Sequence, residues 1–356
     1  MLPLTRVSPE STTILNGIGE VRSATELDDL PVLEGASERT CEVFDVSEVG
    51  DIAVVLCHFN PEAYRAPIRN LRIVLAWLAR ERVPTYAVEL RCGASLAHHP
   101  VLPEGHDRVV QLTSHSVLFR KENLWNIGAA VLPSRYRYVL CLDADTLLLS
   151  GGWLDRLKRA LAVSPVVHPF ATARWTDSSR RLYRESISCG YRSASGYPGP
   201  SQEMQCASGL AIAVRRDFWT ETAGFYNCPI GGGSVLMTSA AAGLPNRLEK
   251  TMRRVSMPLW EDFDRWAASV RSWCRGKLGF IDGNATHLWH GSRAKRQYWS
   301  RFDRIAGFDP RTDVTHVGRF GLLEWSPSAF VEKSAMIRNV AEYFGTRDED
   351  ELYHAS

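Results

Sequence analysis

The sequence predicts an α/β protein with a mostly parallel sheet flanked by helices and a helical extension at the C-terminus. Residues 51–59 form an apolar, β-branched run that ends at Asn60-Pro61, and residues 138–145 form a second apolar run that ends in Asp143 and Asp145. A stretch with helical periodicity lies directly after the first run. Strands that alternate with amphipathic helices are typical of parallel βαβ units.

The elements follow from the apolar periodicity along the chain. A helix is predicted after the first strand, because apolar residues between 68 and 78 recur at helical spacing and Pro84 marks its end. The next elements predicted are strands at 86–90 and 109–112, a helix at 121–132, the strand at 138–145, a helix at 153–162, and strands at 166–170 and 210–214. Residues 186–208 are rich in Ser, Gly, Tyr and Pro, which predicts a long irregular segment, either a mobile functional loop or a disordered one.

The composition of the chain is typical of a soluble globular protein. Of the 356 residues, 45% are hydrophobic and 23% are charged, as in soluble globular domains, and the net charge of +2 gives no indication of a polyanionic partner. The sequence has no apolar run long enough to span a membrane and no signal-peptide pattern in residues 1–20, so we expect a cytoplasmic protein. The eight cysteines form no CxxC pair, which favours reduced, structural thiols.

The strongest chemical signal is the triplet Asp143-Ala-Asp145. Two similar triplets occur at 262–264 and 348–350, but only the first closes an apolar strand. Ligands of parallel sheets bind beyond the carboxyl ends of the strands, and paired carboxylates there suit a divalent cation such as Mg²⁺ or Mn²⁺. The alternative is an acidic strand end that caps the helix at Trp153.

A second candidate is His287-Leu-Trp-His290-Gly291, which is followed by the basic residues Arg293, Lys295 and Arg296. An imidazole ligand would favour Mn²⁺ over Mg²⁺, and the cations could bind a diphosphate. His287 alone is more typical of a packed core histidine. His290 is therefore the predicted ligand.

Together, the strand-end Asp143-Ala-Asp145 and the later His290-Gly291 resemble nucleotide-sugar-dependent glycosyltransferases of the GT-A fold. Other landmarks over residues 51–351 resemble a bacterial and phage group of family-2-like members, in the order Phe59-Asn60-Pro61, Arg69-Asn70, Val88-Glu89-Leu90, Lys121-Glu122 with Asn126, Gly231-Gly-Gly233, Arg296-Gln-Tyr298, Phe308-Asp-Pro310 and Tyr343-Phe344 with Arg347.

The resemblance implies a role for each matching residue. Asp145 would be the principal metal ligand, Asp143 would contact metal or ribose, and His290 would complete the metal site. The residues implied in binding the nucleotide sugar are Phe59, Asn60 and Glu89 at the nucleoside, and Lys121, Arg293 and Arg296 at the phosphates. The implied organisation is an N-terminal appendage (1–50) and one GT-A domain (51–351), divided into a nucleotide-sugar half (51–150), an acceptor half (151–330) and a C-terminal helix (331–351).

One departure from that group concerns the general base. The group has an acidic residue after its triple glycine, whereas this chain has Ser234. A serine cannot deprotonate an acceptor hydroxyl without help. Either a nearby carboxylate serves instead, with Glu261, Asp262 and Asp264 as candidates, or no base is needed there, or activity is weakened.

The sequence thus predicts a metal-dependent glycosyltransferase that uses Mn²⁺ or Mg²⁺ and a UDP-sugar and inverts the sugar's configuration. The alternatives are a metal-dependent nucleotidyltransferase and a sugar-nucleotide-binding module that lost its base. The sequence does not identify the acceptor, which could be a glycan, a protein, a small molecule or a hydroxymethylated DNA base. The expected location of the protein is the cytoplasm of a bacterium or of an infected host cell.

Overall fold

The computed structural model describes residues 42–47, 50–195, 206–244 and 247–353. Most of the expected N-terminal appendage, residues 1–41 and 48–49, lies outside the described residues. Within 42–47, Val43 and Phe44 are buried, and the Phe44 ring lies 5.4 Å from the ring of His106. This short part of the expected appendage therefore packs against the loop that precedes the third strand.

The described residues form strands and helices that alternate from residue 52 onward. The strands are β1 (Ile52–Phe59), β2 (Thr85–Arg91), β3 (Val109–Thr113), β4 (Tyr138–Leu142), β5 (Thr146–Leu148), β6 (Val166–His168), β7 (Thr172–Thr176), β8 (Leu182–Ile187), β9 (Ala211–Arg215), β10 (Leu278–Phe280), β11 (Asn284–His287), β12 (Val314–Val317) and β13 (Leu322–Trp325). The helices are α1 (Arg65–Glu81), α2 (Lys121–Ala130), α3 (Trp153–Val163), α4 (Cys189–Ala194), α5 (Arg216–Glu221), α6 (Gly233–Ala242), α7 (Arg247–Val255), α8 (Met257–Cys274), α9 (Pro327–Glu332) and α10 (Ser334–Gly345). Short 3₁₀ helices lie at Gly93–Ala97 and Ser300–Ile305.

The largest sheet of the described chain has seven strands in the order β10-β6-β9-β4-β1-β2-β3. β1 pairs in parallel with β2 and β4, and β3 and β10 pair in parallel with β2 and β6. β9 is antiparallel to both of its neighbours. The prediction of an α/β protein with a mostly parallel sheet and flanking helices is therefore confirmed.

Burial explains why the central strands read as continuous apolar runs. Residues 52–56 of β1 are at most 1% exposed, because helices cover both faces of the sheet. α2 approaches β1 closely: a Cβ on Gly128 would lie 2.4 Å from Val55 Cγ1. α1 ends where Arg82 adopts a left-handed conformation (φ 54°), two residues before Pro84.

Two predicted segments differ from the structure. The strand predicted at 138–145 ends at Leu142, and Asp143–Asp145 form a turn in which Thr146 N donates to Asp143 O at 3.1 Å. Of the irregular segment predicted at 186–208, residues up to Ile187 belong to β8, and α4 begins after Ser188, whose side chain caps it. The prediction for 196–205 lies outside the described residues.

The C-terminal helix predicted at 331–351 is wrong in its bounds. The structure has two shorter helices here, and α10 ends at Gly345. The acidic residues at 348–351, which the pattern predicts at the solvated end of a surface helix, lie beyond it. Asp350 instead accepts hydrogen bonds from the backbone N–H groups of Arg65 and Ala66 at the start of α1. A carboxylate at a helix N-terminus is favoured by the helix dipole, which explains the packing of this tail.

No helix among the described residues combines the length and the apolar character that a membrane crossing requires.

Buried His168 on β6 contacts the chain on both sides of residues 196–205, which lie outside the described residues. Its Nδ1 accepts a hydrogen bond from Gly190 N at 3.0 Å, so its Nε2 carries the proton and donates to Ser208 O at 3.4 Å. Burial lowers the pKa of His168 to about 4. The unfolded chain therefore binds more protons than the folded one between that value and the ordinary pKa of histidine, about 6.5.

We expect the free energy of unfolding to fall by about 2 kcal/mol through His168 alone as the pH is lowered from about 7 to about 5. His168→Asn keeps an acceptor for the Gly190 N–H but cannot titrate, so its stability should fall by about 2 kcal/mol less over this range. Urea unfolding at the two pH values measures the difference. The exposed His316→Asn is the matched control and should keep the full dependence of the parent protein. An unchanged slope in His168→Asn contradicts the assignment.

Candidate active site

A cavity of about 400 Å³ opens at the carboxyl ends of β1 and β4. Phe59 reaches it from the end of β1, and Asp143 and Asp145 reach it from the turn after β4. Ser234 in the first turn of α6 and His287 at the end of β11 line other walls. This is the sheet edge at which parallel α/β proteins bind ligands.

Three side chains in this cavity could hold a metal ion together: Asp145, His287 and His290. Pairing of β11 with β5 places His287 opposite Thr146, the residue next to Asp145. A backbone hydrogen bond of 2.8 Å from Leu288 N to Asp145 O extends this pairing, and the chain then returns His290 to the same point. Strand pairing therefore brings together ligands that are more than 140 residues apart in sequence.

The distances within this cluster fit one ion. His290 Nε2 lies 2.7 Å from Asp145 Oδ2 and 3.2 Å from His287 Nε2. His287 Nε2 lies 3.7 Å from Asp145 Oδ2. Two atoms that bind one ion at about 2.1 Å and meet at a right angle lie about 3.0 Å apart. Two imidazole nitrogens and a carboxylate oxygen suit Mn²⁺ better than Mg²⁺.

Electrostatics keep this cluster in the protonation state that metal binding requires. Burial would raise the pKa of Asp145, but His287 and His290 stabilise its charge and lower the pKa far below the usual range. Burial lowers the pKa of His287 to about 3, although Asp145 opposes the shift. At neutral pH the chain therefore offers an ionised carboxylate and a neutral His287.

Glu349 contacts the ring nitrogen of His290 that faces away from Asp145 and so orients the imidazole. Its Oε1 lies 3.2 Å from His290 Nδ1, and Arg347 pairs with the same oxygen at 2.5 Å. Burial would raise the pKa of Glu349, but Arg347 and His290 hold it well below its usual range. Arg296 Nη2 donates to the backbone O of His290 at 2.7 Å. A carboxylate behind a metal-binding imidazole typically fixes its ring orientation and raises its basicity.

The structure differs from the sequence prediction at two residues, His287 in the cluster and Glu349 beside it. His287 lies in the cluster although its pattern alone favours a packed core histidine. Glu349 is 7% exposed although the acidic run predicts a solvated position. The HxxH spacing at a strand end was a signal for His287. No local signal marks Glu349, because its burial depends on the packing of the C-terminal tail.

Asp143 lies outside the group of three. One of its oxygens accepts from Lys121 Nζ at 3.0 Å, and the other accepts from Leu210 N at 3.1 Å. Burial would lower the pKa of Lys121, but Asp143 and Glu122 raise it, so the lysine is charged. The alternative that these acids cap α3 is wrong, because Gly152 is its N-cap residue and no side chain caps it.

Ser234 lies beside this ion pair. Its Oγ accepts from Lys121 Nζ at 3.1 Å, and its backbone N–H donates to Glu122 Oε1 at 3.2 Å. The Glu122 side chain is buried against Gly233, where a Cβ would lie 2.4 Å from Glu122 Cγ. The glycine before Ser234 therefore makes room for a carboxylate that comes from α2. Burial raises the pKa of Glu122, although Lys121 opposes the shift.

The acidic residues predicted as alternative bases do not line this cavity. Glu261, Asp262 and Asp264 lie on α8, away from the cavity walls. Asp262 accepts from Tyr226 Oη at 3.0 Å, and Asp264 pairs with Arg271 at 2.6 Å. Although α8 packs against α6, the helix that carries Ser234, these three side chains do not reach the cavity.

Two of the three residues predicted at the nucleoside have structural roles. The Asn60 amide donates to Tyr64 O at 2.7 Å and accepts from Tyr64 N at 3.0 Å, and so fixes the turn before α1. Glu89 is buried outside the cavity lining, where it accepts from Val101 N and Leu102 N at 2.7 and 2.9 Å. Phe59 and Asn60 both line the cavity.

Phe59 belongs to an aromatic wall. Its ring centroid lies 5.4 Å from that of Phe119 and 6.1 Å from that of Phe344. Phe119 and Phe344 stack on each other at 6.3 Å. All three rings line the cavity, so they offer flat apolar surface to a ligand.

Arginines supply most of the positive charge that lines the cavity. Arg293 lies over the rings of Trp175 and Tyr298 at 5.4 and 5.2 Å, and Arg184 lies over Trp175 at 5.5 Å. Neither guanidinium has a carboxylate partner among the described residues. Arg296, also predicted at the phosphates, lines the same cavity beside His290. The like charges of Arg184 and Arg293, which both lie over Trp175 without a carboxylate partner among the described residues, favour an anionic ligand.

No family model matches this chain, and no curated protein sequence matches it. Among solved structures, it is similar to the catalytic domain of Drosophila β1,4-galactosyltransferase 7 in complex with xylobiose, with 15% identity and a TM-score of 0.33, over 56% of this chain and 64% of that domain. It is also similar to glucosyl-3-phosphoglycerate synthase from Mycobacterium tuberculosis in complex with Mn²⁺, UDP-glucose and phosphoglyceric acid, with 13% identity and a TM-score of 0.35, over 81% of this chain and 90% of that one. TarS from S. aureus in complex with UDP-GlcNAc shares 13% identity at a TM-score of 0.33, over 53% of this chain and 52% of that one.

The chain thus spans less than two thirds of the galactosyltransferase domain. Likeness at these values defines neither the activity nor the substrates of this protein, which have to be inferred from its own residues.

Proposed function

We propose that this protein is a metal-dependent glycosyltransferase of the GT-A type that transfers a sugar from a nucleoside diphosphate sugar to an acceptor hydroxyl. The observation that carries the proposal is the convergence of Asp145, His287 and His290 in a cavity with a basic wall and an aromatic wall. A cation, a diphosphate and a nucleoside need these three kinds of surface side by side.

Asp145, His287 and His290 are the proposed metal ligands, and Glu349 positions His290. A divalent cation bound there supplies Lewis acidity that offsets the negative charge of the departing diphosphate. Arg293 and Arg296 add fixed positive charge at the same point, which stabilises the leaving group as its bond to the sugar breaks. Lys121 and Asp143 contribute polar groups to the adjacent wall, where we expect the ribose and the sugar.

We propose uridine as the nucleoside, on the resemblance described above, and place its base against the wall formed by Phe59, Phe119 and Phe344. Stacking of a base on an aromatic side chain contributes about 1–3 kcal/mol. The Asn60 and Glu89 side chains are left out of this proposal, because their polar atoms hold the turn before α1 and the loop at 101–102.

We propose Glu122 as the general base of an inverting transfer. It is a buried carboxylate of the cavity lining and lies next to Ser234, the position at which the resembling group has an acidic residue. Its raised pKa brings it closer to the working pH, which improves the efficiency of a base. In this arrangement Ser234 fixes Lys121 and Glu122 and does not itself accept the proton.

The decisive experiment combines binding and turnover. The protein is mixed with Mn²⁺ and a panel of UDP- and GDP-sugars, and we expect its melting temperature to rise by about 3 °C with the true donor at saturation. Slow hydrolysis of that donor, followed as release of nucleoside diphosphate, reports the chemistry without knowledge of the acceptor.

Stabilisation by nucleoside triphosphates but not by sugar nucleotides would instead identify a nucleotidyltransferase. Stabilisation by a donor with no turnover over a broad acceptor panel would favour a sugar-nucleotide-binding module. The presence of Ser234 in place of an acidic residue is the observation that motivates this hypothesis. No response to any nucleotide with Mn²⁺ contradicts the proposal altogether.

A further inference from the structure

Two cysteines, Cys189 and Cys206, meet at the cavity wall, one on each side of residues 196–205. Their Sγ atoms lie 3.1 Å apart. The backbone holds them in place, since Ser188 and Ala207 form a parallel bridge and Cys189 N donates to Ala207 O at 3.0 Å. A disulfide has an S–S length of about 2.05 Å, so the two sulfurs need to approach by only about 1 Å to form one.

This pair differs from the other cysteines that the structure describes. Those thiols are buried and belong to the core: Cys57, Cys92, Cys141, Cys228 and Cys274. Cys57 also lines the cavity but is buried, whereas Cys189 and Cys206 line it and are partly exposed, so a small solute can reach them. Exposure together with a neighbouring positive charge is what separates reactive from structural cysteines.

The positive charge comes from Arg192 on α4. The arginine is buried, and its Nη1 lies 3.7 Å from Cys206 Sγ. The hydrogen bond from Cys189 and the nearby Arg192 lower the pKa of Cys206, whereas the same hydrogen bond and burial raise the pKa of Cys189. The lowered pKa favours the thiolate form of Cys206, and the Sγ–Sγ contact makes Cys189 the hydrogen-bond donor to it.

We propose that Cys189 and Cys206 form a reversible redox-modification site whose oxidant is a hydroperoxide. The Cys206 thiolate attacks the peroxide oxygen, its sulfur is oxidised to a sulfenic acid, and the O–O bond breaks to release hydroxide, which becomes water on protonation. The Cys189 sulfur then attacks Cys206, the S–S bond forms, and the sulfenic oxygen leaves as a second water molecule. With hydrogen peroxide, two thiols and one peroxide give one disulfide and two waters.

The disulfide would join the start of α4 to the segment that leads to the site. Cys206 lies four residues before Leu210, whose N–H binds Asp143. His168 also contacts both sides of the pair, through Gly190 N and Ser208 O. The backbone beside both cysteines is therefore already held by hydrogen bonds, which favours formation of the disulfide.

Tryptic mass spectrometry tests the proposal on the full-length protein, because trypsin cleaves after Arg184, Arg192 and Arg215. Treatment with equimolar hydrogen peroxide should yield the peptides 185–192 and 193–215 linked to each other and lighter by two hydrogens. Dithiothreitol should separate them. The oxidised protein should also melt a few degrees higher than the reduced one.

The single variants separate this mechanism from unspecific oxidation. Cys189→Ser should trap Cys206 as a sulfenic acid that dimedone labels, and Cys206→Ser should leave Cys189 unmodified. Cys274→Ala, which removes a buried thiol on α8, should keep the cross-link. The proposal is overturned if peroxide gives no 185–192 to 193–215 link, if another cysteine reacts first, or if dithiothreitol cannot reverse the bond in the folded protein.

Discussion

Replacement of Asp145 by Asn should lower donor hydrolysis and transfer by about 10³-fold, which corresponds to about 4 kcal/mol of transition-state stabilisation. The substitution keeps the shape of the side chain but removes the charge that faces two imidazoles at 2.7 and 3.7 Å. The loss should come from metal binding, so the Mn²⁺ concentration at half-maximal activity should rise together with the fall in rate. Activity measured over a Mn²⁺ titration distinguishes these effects.

The chain offers a matched control for the Asp145→Asn variant. Asp264→Asn changes an acidic residue of a second DxD triplet that lies on α8 outside the cavity, and it should retain full activity. Unchanged activity and unchanged Mn²⁺ dependence in Asp145→Asn would contradict the metal assignment.

The Glu349→Gln variant tests the residue that positions His290. It keeps a hydrogen-bond partner for His290 but removes the carboxylate charge, and it should weaken metal affinity by about 10- to 100-fold.

The sequence could predict the strands of this fold because a doubly covered strand is a continuous apolar run, as in β1 and β4. It could also place Asp145 at the ligand-binding edge, since the position of a residue at a strand end follows from the run itself. The direction of β9 could not be read in this way. A strand buried on both faces has the same apolar pattern whether it runs parallel or antiparallel to its neighbours.

The functional side chains that were missed depend on tertiary contacts. His287 enters the cluster only because β11 pairs with β5, and Glu349 because the tail after α10 returns to the cavity. Conversely, Glu89 follows a strand-end rule that predicts a ligand contact, but two backbone N–H groups occupy its carboxylate. Strand-end position indicates where a side chain points, whereas its partners depend on loops whose conformation has no periodic signal.

The same reasoning applies to the general base, whose identity stays a prediction. Sequence distance from Ser234 favours Glu261, Asp262 and Asp264, whereas the carboxylate that reaches Ser234 comes from α2, more than 100 residues earlier. A cavity between the ends of several strands and helices is assembled from distant segments. In the mechanism proposed above, Glu122 therefore takes the place of the acidic residue expected after the triple glycine, through its position in space and not in sequence.

Replacement of Glu122 by Gln should consequently lower the rate of transfer by about 10³-fold with little change in donor binding. Gln keeps an oxygen for the Ser234 N–H and nearly the same volume against Gly233, so the fold should be retained. The pH profile carries the more specific signature. Burial raises the pKa of Glu122, and the base acts in its ionised form, so activity should be lost as the pH falls through that raised pKa. At saturating Mn²⁺ this acidic limb should disappear in Glu122→Gln.

A second substitution distinguishes a missing base from a disturbed helix. Ser234→Asp in the Glu122→Gln background restores a carboxylate at the position where the resembling glycosyltransferases have one, and it should recover a large part of the lost rate. The same substitution beside the native Glu122 brings two carboxylates together and should give no gain. If Glu122→Gln retains full activity and an unchanged acidic limb, the acceptor is deprotonated by another group, and the inverting mechanism proposed for this cavity has to be abandoned.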